Sequence, residues 1–145
     1  MENLKMAAFA LFATAAVTAQ DLQQNQIPES LNTAFQQDYP QATDVEWEMD
    51  GMNYKVEFDL GKMDNEIYFT TDGNVLKSEM EMAEKDLPAA VAGTVKNKYP
   101  KYKVDEIEVT EENGVRTYEV ELEKWFSDDI KLLLSEDGTL ISEVK

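Results

Sequence analysis

The chain of 145 residues contains no Cys and no His, and these two absences remove much of the common catalytic chemistry. Without Cys there is no disulfide, no thiolate nucleophile and no Cys-ligated zinc or iron–sulfur centre. Without His there is no imidazole general base and no Ser-His-Asp or Cys-His arrangement. Basic residues are also few: 13 Lys and Arg stand against 30 Asp and Glu, which gives a formal net charge of -17. Because such a chain repels phosphate backbones, we expect no binding to nucleic acid.

The short motifs of nucleotide-binding and hydrolase sites are absent as well. The sequence has no G-x-x-x-x-G-K-[ST], G-x-G-x-x-G or G-x-S-x-G pattern, and no EF-hand pattern D-x-[DN]-x-[DN]-G. Paired carboxylates could support glycoside hydrolysis, but any acidic protein has such pairs and a chain of this size offers little substrate cleft. We therefore predict that the protein is not an enzyme, and we assign no catalytic residue, no metal ligand and no cofactor.

An apolar run from Met6 to Val17 follows the basic residue Lys5 near the N-terminus. A helix of this length rises about 18 Å, which is shorter than the roughly 30 Å hydrocarbon core of a bilayer. We therefore predict no membrane span.

The end of the apolar run has the composition of a signal-peptide cleavage site, because Val17 and Ala19 are small residues at the -3 and -1 positions. This pattern predicts a signal peptide over residues 1–19, cleavage near Ala19-Gln20, and a periplasmic or secreted protein. An amphipathic or buried N-terminal helix is the alternative. Residues 20–26 are polar, and we interpret them as a flexible lead-in.

All four prolines fall into two pairs, and the second pair lies 60 residues after the first. The matched dipeptides are Ile27-Pro28 with Leu87-Pro88, and Tyr39-Pro40 with Tyr99-Pro100. Between the prolines of each pair, apolar residues recur every four positions, which is typical of an amphipathic helix. We predict two tandem repeats, residues 27–86 and 87–145. The alternative is two halves that resemble each other by coincidence.

After each predicted helix the apolar period changes to two, which indicates strands. Residues 45–49 and 52–60 alternate around the turn signal Asp50-Gly51, and residues 118–122 alternate after Asn113-Gly114. Each half therefore reads as a helix followed by four antiparallel strands, with the helix on one sheet face and the other face open. The predicted fold class is α+β, with two tandem helix-plus-four-stranded antiparallel sheet repeats. Whether the repeats share one continuous sheet stays open.

This pattern resembles the PepSY-like unit, and two units behind a signal peptide resemble the exported beta-lactamase-inhibitor-like, PepSY-like proteins of Bacteroidetes-type bacteria. The matching pieces are Pro28 to Pro40, Gly51 with Tyr54-Lys55-Val56, Asp72 to Val75, Pro88 to Pro100, Gly114 with Tyr118-Glu119-Val120, and Asp137 to Leu140. The resemblance implies a non-catalytic binding or inhibitory role in which the open sheet face meets a partner. It transfers no catalytic residue, and the chain has no Cys to match the disulfides of the secreted inhibitors.

The strand positions that alternate with the core positions are mostly acidic, so we expect an acidic open face. Its predicted members are Glu46, Glu48, Lys55, Glu57, Tyr68, Glu119, Glu121 and Glu123. We interpret this face as a docking surface for a basic protein or peptide. The alternatives are a solvated face that maintains solubility, and a Ca²⁺ site between carboxylates on neighbouring strands.

The aromatic pair Trp125-Phe126 follows the row of outward Glu residues at the end of a predicted strand. It is a candidate contact for the same partner, and the alternative is a Trp that covers one end of the core. The predicted function is that of an exported, non-catalytic binding protein that binds or inhibits a protein partner through the open face. An acidic calcium-binding or envelope-stress protein is the alternative. The sequence assigns no oligomeric state.

Overall fold

A computed structural model describes residues 20–145, and the predicted signal peptide lies outside them. Two α-helices occur in the described range, α1 over Glu29–Asp38 and α2 over Ala89–Lys98. The strands are β1 Gln20–Asp21, β2 Thr43–Asp50, β3 Asn53–Leu60, β4 Met63–Phe69, β5 Val75–Glu81, β6 Lys103–Glu112, β7 Val115–Glu123, β8 Ile130–Ser135 and β9 Leu140–Val144. Short 3-10 turns at Gln24–Gln26 and Glu84–Asp86 precede the two helices.

The strands form one continuous antiparallel sheet in which each strand pairs with its neighbours along the chain, from β1 to β9. The two parts of the chain meet where β5 pairs with β6, with Met80 opposite Val109. One row of register partners crosses the sheet and shows which residues share a face: Phe58, Asn65, Met80, Val109, Tyr118 and Leu134. Both helices pack on this face, because residues of α1 and α2 join core clusters that contain members of the row.

The apolar residues that recur every four positions in each helix include buried ones, as the amphipathic pattern predicts. In α1, Leu31 and Phe35 are 5% and 3% exposed, and in α2 Val91 and Val95 are 0% and 7% exposed. A proline stands at the N-cap position of each helix, where its missing N–H costs nothing, and another follows the tyrosine at each C-terminus.

The residues beneath the two helices differ in kind. The cluster under α1 is aromatic, since Phe35 packs with Trp47 and Phe58 at ring-centroid distances of 5.5 and 4.9 Å. The cluster under α2 is mostly aliphatic, with Tyr118 as its buried aromatic member, and its fully buried members are Val91, Val120, Leu122, Leu132 and Leu134. A single continuous sheet therefore carries two cores of different chemistry.

Helix α2 approaches the turn between β8 and β9 more closely than α1 approaches the turn between β4 and β5. Gly138, in the β8–β9 turn, is buried with φ +82°, and a Cβ built there would stand 2.5 Å from the carbonyl oxygen of Ala90. Gly73, in the β4–β5 turn, has φ +84° but its Cβ would meet only Leu31 Cδ1, at 3.9 Å. Glycine is needed at both turns for φ, and at Gly138 also for the close approach.

The lead-in over residues 20–26 differs from the flexible segment expected from its composition. Residues Gln20–Asp21 form β1 and pair with β2, and Leu22 donates its N–H to the carbonyl of Trp47 at 2.7 Å. Leu22 also packs against the aromatic cluster. Polar composition gave no sign of this, because backbone pairing at a sheet edge does not depend on the side chains.

Candidate binding face

The sheet face opposite the helices is not covered by any of residues 20–145, and carboxylates lie side by side across it. Glu46, Glu57, Glu66 and Glu79 are register partners on β2, β3, β4 and β5. A second row continues onto the later strands, with Asp59 opposite Asp64 and Glu81 opposite Glu108. Side chains of register partners on neighbouring strands have Cβ atoms about 5 Å apart, so these like charges repel each other.

The two rows line a hollow of about 460 Å³ over β2 to β6, which we call the acidic trough. Its acidic members are Asp44, Glu46, Glu57, Asp59, Asp64, Glu66, Glu79, Glu81, Glu106 and Glu108. Lys55 borders the trough and contacts Glu57 and Glu66, while Lys77 pairs with Glu79. Among the described residues, no ion pair within 4.0 Å involves the other seven carboxylates.

The electrostatic consequence is clearest at Glu108, which is half-buried at the β5–β6 seam. Burial, and then repulsion from Glu79, Glu119 and Glu66, raises the pKa of Glu108 to about 7, although Lys77 acts in the opposite direction. Burial followed by the charges of Glu121 and Glu81 likewise raises the pKa of Glu106. The charged form of these carboxylates is unfavourable in the free protein, and a cationic partner would stabilise it.

A cationic and aromatic stripe borders the trough. Tyr68 faces outward, as predicted, and its hydroxyl donates to Glu66 Oε2 at 2.7 Å. Lys55 Nζ and Lys77 Nζ lie 5.9 and 5.2 Å from the centre of the Tyr68 ring. Burial and the hydrogen bond to Glu66 raise the pKa of the Tyr68 hydroxyl.

The predicted row on β7 faces outward but is largely neutralised. Glu119 and Glu121 both bind Lys131 Nζ, at 2.8 and 2.6 Å, and Glu123 binds Lys103 Nζ at 2.8 Å. The hydrogen bonds to the two Glu carboxylates raise the pKa of Lys131. The uncompensated charge of the face is therefore concentrated over β2 to β6, away from this row.

Trp125 and Phe126 lie in the β7–β8 connection and form what we call the aromatic tip. They are 88% and 99% exposed, and their rings meet edge to face at 5.9 Å. The described structure does not bear out the alternative in which Trp125 covers the end of the core. Phe126 has φ +59°, a left-handed conformation that is unfavourable for a bulky residue.

Sequence reasoning placed Glu46, Glu48, Lys55, Glu57 and Tyr68 on the open face, and the structure brings them together there. Reasoning from alternation on single strands missed the trough members on the next three strands, above all Glu66, Glu79 and Glu81 on β4 and β5, and Glu106 and Glu108 on β6. Glu66 lies between two buried residues, and Glu106 and Glu108 flank the buried Ile107, but β5 contains no buried residue. On β4 and β6 this pattern could have shown which face the residues occupy. It could not have shown that they are neighbours, because that depends on the register between strands.

Other features of residues 20–145 are plainer. A cavity of about 720 Å³ lies between the lead-in, α1 and the start of β2, and Phe35, Tyr39 and Trp47 are among its lining residues. Within the described range, no group of three or more acidic side chains has the arrangement of a metal site. In the same range, no helix is long and apolar enough to cross a bilayer.

A single antiparallel sheet with two helices on one face and an exposed acidic face on the other defines an α+β protein of the open-faced sheet class. Sequence comparison then identifies the family. The model of the family described as "Putative beta-lactamase-inhibitor-like, PepSY-like" matches residues 15–77 and again residues 77–142. The chain belongs to this PepSY-like family. No protein with a curated description matches the sequence.

Solved structures of Bacteroides proteins are similar to this fold. A BLIP-like protein from Bacteroides fragilis shares 26% identity and a TM-score of 0.60, over 81% of this chain and 84% of that one. A DUF2874 family protein from Bacteroides ovatus shares 18% identity and a TM-score of 0.62, over 81% and 86%. A protein from Bacteroides eggerthii, described among "putative periplasmic proteins", shares 18% identity and a TM-score of 0.63, over 81% and 87%.

Proposed function

We propose that this protein is an exported, non-catalytic binding protein that captures, and in doing so can inhibit, a protein partner through its open sheet face. The observation that carries the proposal is the acidic trough, in which seven of ten carboxylates have no ion pair among the described residues. Membership of a family described as inhibitor-like supports a binding role rather than a catalytic one.

The open face suits a polypeptide partner better than a small ligand. Its trough is shallow and lies over the backbones of several strands, whereas small-molecule sites are enclosed and mostly apolar. Charge complementarity to basic side chains would steer a partner onto the face and raise the association rate. The residues assigned to this interface are Glu46, Glu48, Lys55, Glu57, Tyr68, Glu119, Glu121, Glu123, Trp125 and Phe126.

We also propose that residues 27–86 and 87–145 are tandem repeats that share the sheet. The order of elements supports this, because each part has one helix followed by four strands. The two family matches fall on successive parts of the chain. In this comparison, the pairing of the lead-in strand β1 with β2 corresponds to the pairing of β5 with β6.

Export rests on the N-terminal sequence, and we propose cleavage near Ala19-Gln20 with a periplasmic or secreted mature chain. The intact mass of the protein recovered from the periplasm or medium tests this. A mass that begins at Gln20 agrees with the proposal, and retention of Met1 contradicts it.

The binding proposal is tested with tagged mature protein incubated with an envelope extract, after which the captured partner is purified. Association kinetics are then measured at low and high salt for the triple variant Glu46→Gln, Glu106→Gln, Glu108→Gln, which breaks no observed ion pair. We expect the association rate at low salt to fall about tenfold, with a weaker dependence on salt.

The control is the triple variant Glu29→Gln, Glu84→Gln, Glu136→Gln, which removes the same number of carboxyl groups but lies outside the trough. Equal losses in both variants would mean that net charge, and not the face, governs binding. A calorimetric titration with Ca²⁺ addresses the alternative function, since heat at micromolar Ca²⁺ that disappears in the trough variant would favour cation binding.

A further inference from the structure

The β7–β8 connection that carries the aromatic tip is longer than its counterpart after α1. The counterpart joins β3 to β4 through a two-residue turn, Gly61-Lys62, because Leu60 pairs directly with Met63. In the β7–β8 connection the last register pair is Leu122 with Ile130, and seven residues lie between them. The extra chain is not needed to connect two antiparallel neighbours, since two residues suffice in the counterpart.

The added residues create an unfavourable local structure. The N–H of Ser127 donates to the carbonyl of Lys124 at 3.1 Å, which closes a turn around Trp125 and Phe126. Within this turn Phe126 takes φ +59°, whereas the β3–β4 turn has glycine at φ +71°. A bulky side chain in this conformation, with nearly its whole surface in water, stabilises nothing in the described fold.

The position of the tip links it to the open face. The β3–β4 and β7–β8 connections lie at the same end of the sheet, because alternate connections of an antiparallel sheet return to one end. The trough reaches this end at Asp59, Asp64 and Glu106. Glu106 is the register partner of Glu121. Trp125 follows Glu121 by four residues, so their Cα atoms lie at most roughly 13 Å apart.

We propose that Trp125 and Phe126 form an apolar anchor that enters a cleft in a protein partner, and that the rim of this cleft is basic. The inference rests on the proposed function and names the shape and chemistry of the partner. The tip is convex, so its complement is concave. Lys124 precedes the tip and Asp128 and Asp129 follow it, and the trough reaches the same end of the sheet, so the charge around the tip is negative on balance and basic groups around the cleft complement it.

Two other occupants fit the same observations less well. An anionic membrane surface would be repelled by the flanking Asp128 and Asp129 and by the net charge of -17. A second copy of the chain could offer the cavity beside α1, but Asp21 and Glu46 line that cavity and would face the acidic residues of the tip. Both occupants are outcomes of the test.

The test starts with a photoreactive benzoyl-phenylalanine at position 126 of the full chain, expressed in the exporting bacterium. The same group at position 115 is the control, because Val115 is 63% exposed at the opposite end of the sheet. We expect a discrete adduct with another protein from position 126 only. An adduct of two copies of the chain, identical adducts from both positions, or no adduct overturns the proposal.

The partner identified by the adduct is then purified, and its dissociation is measured from three variants. Trp125→Ala and Phe126→Gly should each speed dissociation by roughly 30-fold, the size of an interface hot spot, while Val115→Ala should change it less than twofold. Phe126→Gly should keep or raise the melting temperature because glycine removes the unfavourable φ, so a loss of binding in this variant is not a loss of folding.

Two further results separate the possible failures. If the trough variant binds more slowly but the tip variants dissociate normally, the anchor is wrong and the proposed function stands. If both sets leave binding unchanged, both proposals are wrong. Co-sedimentation of the wild type with vesicles of phosphatidylcholine and phosphatidylglycerol, abolished in Trp125→Ala, would replace the protein cleft with a lipid surface.

Discussion

The two helices rest on cores that fill the same layer in different ways. Under α1 the space between helix and sheet is filled by large rings, with Phe35 seated against Trp47 and Phe58. Under α2 the side chains are branched aliphatics, and the backbone of Ala90 approaches Gly138 closely. The difference shows that one sheet can pack helices through side chains of different size and shape, and that α2 approaches its turn more closely than α1 does.

The strongest test of this comparison is Phe35→Ala, because the ring is 3% exposed and touches several others. We expect the free energy of unfolding to fall by about 3–5 kcal/mol, measured by urea denaturation. The matched change under α2, Val95→Ala, should cost only about 2 kcal/mol because it removes two carbons. A loss below about 1 kcal/mol for Phe35→Ala would show that the aromatic core is not tightly packed.

The second test exploits the close approach of α2. Gly138→Ala places a Cβ against the carbonyl of Ala90 in a backbone with φ +82°, so we expect a loss of about 2–4 kcal/mol. Gly73→Ala carries the same backbone penalty without the collision and should cost about 1–2 kcal/mol. Thermal unfolding of both variants checks the difference, and equal losses would mean that the close approach of Ala90 to Gly138 adds nothing to the backbone penalty.

The third test concerns the seam where the two halves meet. The folded protein holds the proton of Glu108 more tightly than the unfolded chain, with a pKa of about 7 against 4.5. Stability from this group is therefore full below about pH 4.5 and is lost as the pH rises through 7. We expect a loss of about 1–2 kcal/mol across this window, after allowance for solvent screening at a half-buried site.

Glu108→Gln should remove this dependence, and Glu84→Gln, at an exposed position, should keep it. Urea denaturation at pH 5 and pH 8 gives the comparison. A wild type with equal stability at both pH values would be inconsistent with a raised pKa of Glu108 at the seam.

The smallest expected effect comes from the hydroxyl that fixes α2 to the β8–β9 turn. Thr94 Oγ1 donates to the carbonyl of Gly138 at 2.7 Å, whereas the position 60 residues earlier in α1 is Ala34. Thr94→Val should cost about 1 kcal/mol by loss of this hydrogen bond. The reverse exchange in α1, Ala34→Thr, should leave the unfolding midpoint within error. A stabilised Ala34→Thr variant would indicate that α1 can also bond to its turn.

Much of the fold follows from local signals in the chain. The proline pairs delimit both helices, and the change of period from four to two marks the strands, because backbone geometry is decided within a few residues. The lead-in strand β1 escaped prediction, since its two residues are polar and its only support is pairing with β2.

The candidate site was less predictable than the fold. Alternation showed which side Glu57 faces, but it could not show that Glu81 lies opposite Glu108, 27 positions later, across the β5–β6 seam. Nor could it show that Lys131 forms ion pairs with both Glu119 and Glu121. Charge balance at a surface depends on neighbours that are distant in sequence, so composition and period alone do not locate the uncompensated charge of the open face.

The strictly consecutive strand order also bears on how the chain reaches this structure. Most ladders close over a short connection, but two close over a segment that contains a helix, the β1–β2 ladder over α1 and the longer β5–β6 ladder over α2. A chain that emerges N-terminus first can therefore add one hairpin at a time to an existing edge, with little entropy lost in closing long loops. We expect the β5–β6 ladder to be the slow step, and the first half of the chain to acquire protection from hydrogen exchange before the second.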